Sequence, residues 1–264
     1  IDFMIRLIII LPFLLSFGLN AQSKFSIRDV NAKGYFQIEN VNSISLDEWM
    51  RLPKDNNYEF QYFNKNNVNR NNYYYNYSDV NASIALNISV FPNKTYEVPP
   101  KLYAHWQLSL MFVRERLSSS SFSQTENNGG DIRDNSLFIE YVNNMARIEV
   151  MRLWRTDDTK KAFVAFGLGG QFGIAYDSGV EFYESSVSTG GFNFNNFNSS
   201  YTTIEAKKAM SNLFFLPIDV NLKVVENLFV QLELRTGIKH LLVFDGPSFM
   251  YPVYGIGIGT RYVL

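Results

Sequence analysis

The chain has 264 residues, a net charge of −1 and no cysteine. Without cysteine there are no disulfides, no Cys-ligated metal and no lipid anchor on a lipobox cysteine; with charges this balanced there is no basic field that would call for nucleic acid. Aromatic residues make up 16% and hydrophobic residues 46%, yet no long apolar helix follows the N-terminal segment, a combination that suits a barrel with lipid-facing apolar and lumen-facing polar side chains.

The first element in chain order is an export signal. Met4-Ile5-Arg6 is a short positive start, Leu7 to Leu15 is apolar apart from Pro12, and Leu19-Asn20-Ala21 precedes Gln22 as a cleavage site. That layout predicts a cleaved signal peptide over residues 1–21 with its true start at Met4. The run is too short for a spanning helix, which needs about 20 apolar residues. Residues 22–55 read as an N-terminal extension. Within it Ser45-Leu46-Asp47-Glu48 fits a capping box, followed by Trp49, Met50 and Leu52 and stopped by Pro53. This predicts a short helix near 46–52, either an amphipathic turn covering one barrel mouth or a small plug or docking element.

From Val80 onward apolar and polar residues alternate, and successive side chains of a strand point to opposite faces. Val80 to Val90, Leu102 to Phe112, Asn144 to Val150, Val164 to Tyr176, Phe214 to Val224, Leu228 to Ile238 and Tyr254 to Leu264 give seven strands. Most cover the roughly 9–11 residues a tilted strand needs to cross a bilayer. Arg152 falls on the outward phase of its strand and implies a bulge or the membrane edge there. The connections alternate in length. Phe91–Pro100, Arg155–Lys160 and Val225–Asn227 are short, whereas Leu117–Asn135, Glu184–Ser200 and Phe244–Met250 are longer or richer in Ser, Gly, Asn and Pro. Barrels of the outer membrane have short periplasmic turns and longer outside loops. An even count needs one more strand, best supplied by Tyr58, Phe60 and Tyr62, with Gly34, Phe36 and Ile38 the weaker candidate. The expected fold is therefore an all-β, antiparallel, up-and-down transmembrane barrel over residues 56–264, of eight strands with ten possible.

Chemistry is sparse along these strands. His105 and Ser109 share an inward face but start roughly 13 Å apart along one strand. His240 stands beside Lys239 with no nucleophile motif. Gly167 to Gly170 lies mid-strand without the Lys-Ser/Thr of a phosphate loop, so close packing inside the barrel is its reading. No cofactor or metal site is expected. The dense constellation is a set of inward charges: Arg147 and Glu149, Asp219 and Lys223, Glu233, Arg235 and Lys239, and Arg261. An eight-stranded interior is just wide enough for side chains to fill, so mixed charges there should pair as a core network; a narrow polar pore is the alternative. Asp219 and Glu233 fall opposite one another across the Val225 to Asn227 turn, and two facing carboxylates need cations between them. Arg235 and Arg147 are the expected ones.

The last strand carries a resemblance. Gly259, Tyr262 and Leu264 occupy the places of the C-terminal assembly signal of outer-membrane proteins, with Leu264 where Phe is usual. Phe215-Leu216-Pro217-Ile218-Asp219-Val220-Asn221-Leu222-Lys223 resembles a strand of the small outer-membrane β-barrel proteins abundant in Bacteroidetes. The resemblance covers residues 80–264 and implies location in the cell outer membrane. Outer-membrane lipid, the barrel-assembly machinery and other envelope proteins are the implied partners. The function it leaves is a non-enzymatic structural or interaction scaffold, or a subunit of an envelope complex. Alternatives are a narrow pore or carrier for small or apolar solutes, and a lipid-modifying enzyme.

Overall fold

Residues 25–40, 44–55, 58–64, 78–92, 102–118, 122–128, 131–156, 160–190 and 194–264 are described by a computed structural model. Residues 1–21, expected from the sequence to be a signal peptide, lie outside these described residues.

Ten strands follow one another: β1 (Phe25–Asn40), β2 (Ser78–Pro92), β3 (Tyr103–Ser118), β4 (Phe122–Asn128), β5 (Asp131–Arg155), β6 (Ala162–Gly190), β7 (Phe194–Glu205), β8 (Ala209–Val225), β9 (Leu228–Val243) and β10 (Ser248–Val263). Eight of them close a ring, β1-β2-β3-β5-β6-β8-β9-β10, in which every neighbour is antiparallel and β10 returns to β1. Closure leaves no free sheet edge in the ring, the condition for strands to stand in lipid. The outward face is apolar all round, with Ile84 69% exposed, Ile218 51% and Ile256 48%. Their inward neighbours Asp219 and Glu233 are fully buried. This is a transmembrane β-barrel of the outer-membrane type. Trp154, Tyr176, Tyr254 and Tyr262 share the outward phase, Trp154 and Tyr262 toward the short turns and Tyr176 and Tyr254 toward the loops.

The structure corrects the position of the first strand. It is Phe25–Asn40, and it pairs with β10 from Asp29↔Val263 to Glu39↔Val253. The barrel therefore begins within the segment read as an extension over 22–55, not at residue 56. Small outward residues, Ala32 and Gly34, mute the apolar signal of β1, while its inward column, Asp29 to Glu39, is polar except for Tyr35. Tyr58, Phe60 and Tyr62 belong to no strand.

The outer connections are corrected as well. Segments expected as loops between Leu117 and Asn135 and between Glu184 and Ser200 are largely strand. β5 has 25 residues and β6 has 29, two to three times the length needed to cross. Beyond the ring β4 pairs with β5 and β7 with β6. The result is a four-stranded wall, β4-β5-β6-β7, standing on the loop side. Between Asn144↔Asp177 and Met145↔Ala175 the ladder skips Tyr176. This bulge reverses the phase of β6, so that even residues such as Ile174 face out below it and odd ones such as Tyr183 face out above. Arg152 needs no bulge: it stays in register with Leu168, and its guanidinium lies 5.0 Å from the Trp106 ring centre.

Residues 44–55 and 58–64, between β1 and β2, cover the loop-side mouth. Its helix, α1 (Leu46–Trp49), has the full capping box: the Ser45 side chain accepts from the Glu48 amide, and the Glu48 carboxylate accepts from the Ser45 amide. Trp49 and Leu52 are buried among Tyr141, Phe215, Tyr251 and their neighbours. The Lys207 amide donates to the Leu52 carbonyl at 2.9 Å, and Pro53 bridges to Ala206.

Candidate functional site

Among the described residues, strand parity puts twelve charges inside the ring, all at least 96% buried: Lys33, Arg147, Arg155, Arg235, Lys239 and Arg261 against Asp29, Glu39, Glu115, Glu149, Asp219 and Glu233. Six cations meet six anions. Buried charge is tolerable only when paired and hydrogen-bonded, and here it is arranged in three stacked clusters.

Toward the short turns Arg155 donates to Asp29 at 2.8 Å, and Arg261 reaches the same carboxylate at 3.5 Å and Gln107 at 3.3 Å. Phe163 lies beneath both guanidiniums. In the middle Lys33 sits between the two facing carboxylates, 3.1 Å from Asp219 and hydrogen-bonded to Glu233. Tyr35 donates to Glu233 at 3.0 Å. Arg235 binds Glu233 through Nε at 2.7 Å and Glu149 through Nη1 at 2.8 Å, while Ser109 and Gln171 complete Glu149. Toward the loops Lys239 joins Glu39, at 2.8 Å, to Glu115, which also accepts from Arg147; the Tyr251 hydroxyl donates to Glu39 at 3.0 Å.

The glycines of the inward face make room for this. A Cβ on Gly257 would run into the Tyr35 ring, and one on Gly255 into the Arg235 stem. Gly169 seats the Phe215 ring in the same way, and Arg235 lies 4.4 Å above that ring. Such stacking is the arginine's second mode of attachment, beside its fork of donors.

Of the eight charges read from sequence, seven come together here. Asp219 does face Glu233 in register. The cation between them is Lys33, assisted by Arg235, and not Arg147, whose partner is Glu115. Lys223 lies exposed at the short-turn rim, outside the clusters, because the strand there has left the lumen. Asp29, Lys33 and Glu39 escape the sequence reading because it misplaces β1. Glu115 and Arg155 stand on strands whose charged inward ends extend past the apolar run that marks them.

The wall forms the second feature. Its inner face buries Leu137, Ile139, Val180 and Phe182. Glu184 is buried on the same face and accepts from the Tyr62 amide at 2.8 Å, the Phe63 amide at 3.2 Å and the Tyr58 hydroxyl at 3.2 Å. Tyr58 stacks on Phe182 with ring centres 4.6 Å apart. Burial pushes the Tyr58 phenol above its ordinary range, and the Glu184 carboxylate acts in the same direction. The alternation of Tyr58, Phe60 and Tyr62 thus serves packing against a sheet, not membership of one.

The histidines divide. His105 is buried and stacked on Phe91, and Ser109 is engaged by Glu149, so the two form no dyad. His240 Nε2 and the Ser248 hydroxyl lie 2.6 Å apart on the outward rim. Among the described residues no third group orients that histidine, and no group of His, Cys, Asp and Glu could hold a metal ion.

No family model matches the chain, and no curated protein matches it. Among solved structures it is similar to Neisserial surface protein A, with 10% identity and a TM-score of 0.32 over 91% of this chain and 99% of that one. It is similar to Ail, the attachment invasion locus protein of Yersinia pestis, with 11% identity and a TM-score of 0.31 over 90% and 99%. It is also similar to a major outer membrane protein from Thermus thermophilus, with 10% identity and a TM-score of 0.33 over 89% and 99%. The assignment of this chain to the membrane rests on its own closed ring and apolar exterior.

Proposed function

We propose that the protein is a closed, non-enzymatic outer-membrane scaffold whose barrel anchors the β-sheet wall as an interaction surface outside the cell, alone or as a subunit of an envelope complex. The observation that carries this reading is the balanced, interlocked set of lumen charges, with Tyr35, Phe215 and Tyr251 filling the space between them. Inserting the barrel would be the task of the assembly machinery, with Gly259, Tyr262 and Leu264 of the last strand as the recognised signal. The strand around Leu216 and Asp219 supports kinship with the small barrels of Bacteroidetes.

A narrow polar path is the second reading. It is favoured by Asn221 and Gln231, which face each other in register and whose side-chain amides are buried without a protein partner. Conductance in a planar bilayer separates the two. A scaffold leaves the purified wild type near-silent, and Arg235→Ala, which takes the shared cation from Glu149 and Glu233, becomes leaky or unstable. A steady, large wild-type conductance overturns the closed scaffold and promotes the pore.

A further inference from the structure

The outer face of the wall has an order of its own. On β5, β6 and β7 the rings of Phe138, Tyr183 and Tyr201 lie side by side in register. Tyr183 is 5.8 Å from Phe138 and 4.8 Å from Tyr201, centre to centre. One step farther from the membrane Ser136, Ser185 and Ser199 form a parallel row, with the Ser136 and Ser185 hydroxyls 2.6 Å apart. Between the rows runs a groove of about 410 Å³, within the range of ligand clefts. Flat aromatic faces beside a line of hydroxyls suit sugar rings, whose faces are apolar and whose rims carry hydroxyl groups.

What stands below the groove names the sugar's carrier. Down the same face come Glu140 and Glu181, then Arg116 and Arg114, then the lipid-facing Phe112 and Ile148. The Arg114–Glu181 and Arg116–Glu140 pairs are long, 4.0 and 3.7 Å, and the arginine side chains remain 59% and 47% exposed. Charge-assisted bonds of full strength are about 2.7–2.9 Å, so these guanidiniums keep donors for a further anion. From lipid upward the face therefore reads apolar belt, cations flanked by the carboxylates of Asp177, Glu140 and Glu181, aromatic platform, hydroxyl row. A phosphorylated glycolipid reads acyl chains, phosphate, sugars. The face also continues the lipid-facing surface of β5 and β6, so an outer-leaflet lipid beside the barrel lies directly under it. From Arg114, level with Asn144, to the Phe138 row is roughly 20 Å along the strand, the reach of a short oligosaccharide.

We propose that the outer face of β5, β6 and β7 binds the core oligosaccharide of a phosphorylated outer-leaflet glycolipid, stacking it on Tyr183 and Tyr201 and holding its phosphate at Arg114 and Arg116. The site rests on the reading of the wall as an exterior interaction surface.

The test titrates the purified full chain, in detergent, with lipopolysaccharide carrying its core oligosaccharide, with lipid A lacking that core, and with phosphatidylglycerol. Wild type should bind lipopolysaccharide about tenfold more tightly than lipid A, the scale two aromatic contacts supply, and phosphatidylglycerol weakest. The double variant Tyr183→Ala/Tyr201→Ala should bind lipopolysaccharide no better than lipid A, whereas Tyr183→Phe/Tyr201→Phe, which keeps the rings, should retain the preference. Should the alanine double fail to fold, Ser199→Trp, which fills the groove from an exposed position, should abolish the preference instead. Equal affinity of wild type for lipopolysaccharide and lipid A overturns the site, as does an unchanged preference in a folded alanine double or in Ser199→Trp. So does concentration-dependent self-association that the alanine double removes, which would make the face a contact between copies. A conducting barrel that still prefers lipopolysaccharide counts against the closed scaffold alone.

Discussion

The lumen and the wall are built on the same two strands, yet they are held together by opposite means. Inside the ring, β5 contributes Arg147 and Glu149 to an ionic core. Above the ring the same strand contributes Leu137 and Ile139 to an apolar one. The difference follows from what lies on the other side of the sheet. In the membrane the outward face must be apolar, so polarity is displaced inward and has to be neutralised there. Outside, water takes the polar face, and the inner surface can be closed by Phe182, Tyr58 and Trp49 as in any soluble domain. The Tyr176 bulge marks the change of regime.

Three substitutions break this comparison at different depths. The largest effect belongs to Lys33→Met, which leaves Asp219 and Glu233 facing each other with one cation fewer. Losing one partner of a buried pair costs about 3–5 kcal/mol, so the barrel should lose its heat-resistant compact mobility in detergent gels and unfold at lower urea. Unchanged urea unfolding would mean that Arg235 and Arg261 suffice and that the middle cluster is not centred on Lys33.

The next is Ile218→Arg, on the lipid face beside Asp219. An arginine near the bilayer midplane costs about 2–4 kcal/mol, and insertion into vesicles should fall accordingly. Wild-type yield in folded, protease-protected barrel would reverse the assigned phase of β8.

Glu184→Gln should act locally. It weakens the acceptor that holds the Tyr62 and Phe63 amides, a loss of about 1–3 kcal/mol for a buried polar group left short of partners. Limited proteolysis should then cut near residues 58–64 while the barrel keeps its compact mobility. If the barrel unfolds together with that segment, wall and ring are one cooperative unit and the contrast drawn above fails.

How much of this could be read beforehand depends on whether one face of a strand was apolar. β8, β9 and β10 show an unbroken apolar phase, and for them facing direction and even the Asp219↔Glu233 register were legible. β1 hides its phase behind the small outward residues Ala32 and Gly34, and only its second half, Gly34, Phe36 and Ile38, showed as the weaker candidate. β4 and β7 had no apolar phase at all: Asn, Ser and Thr alternate with little contrast, and their pairing is dictated by the long β5 and β6 beside them. The carrier of charge balance was illegible for a related reason. Arg235 was visible next to Glu233, but Lys33 is 186 residues from Asp219, and only ring closure brings them together.

That separation bears on how the molecule comes into being. Each buried charge on the first strand finds its opposite far along the chain: Asp29 with Arg155, 126 residues on, and Glu39 with Lys239, 200 residues on. Contacts this distant are made late, because the entropy of closing so long a segment is lost before they can form. Until β10 has met β1, the nascent sheet carries unmatched ions that cannot enter the hydrocarbon. Insertion into the bilayer and closure of the final seam between first and last strands should therefore coincide, with electrostatic neutrality as the gatekeeper.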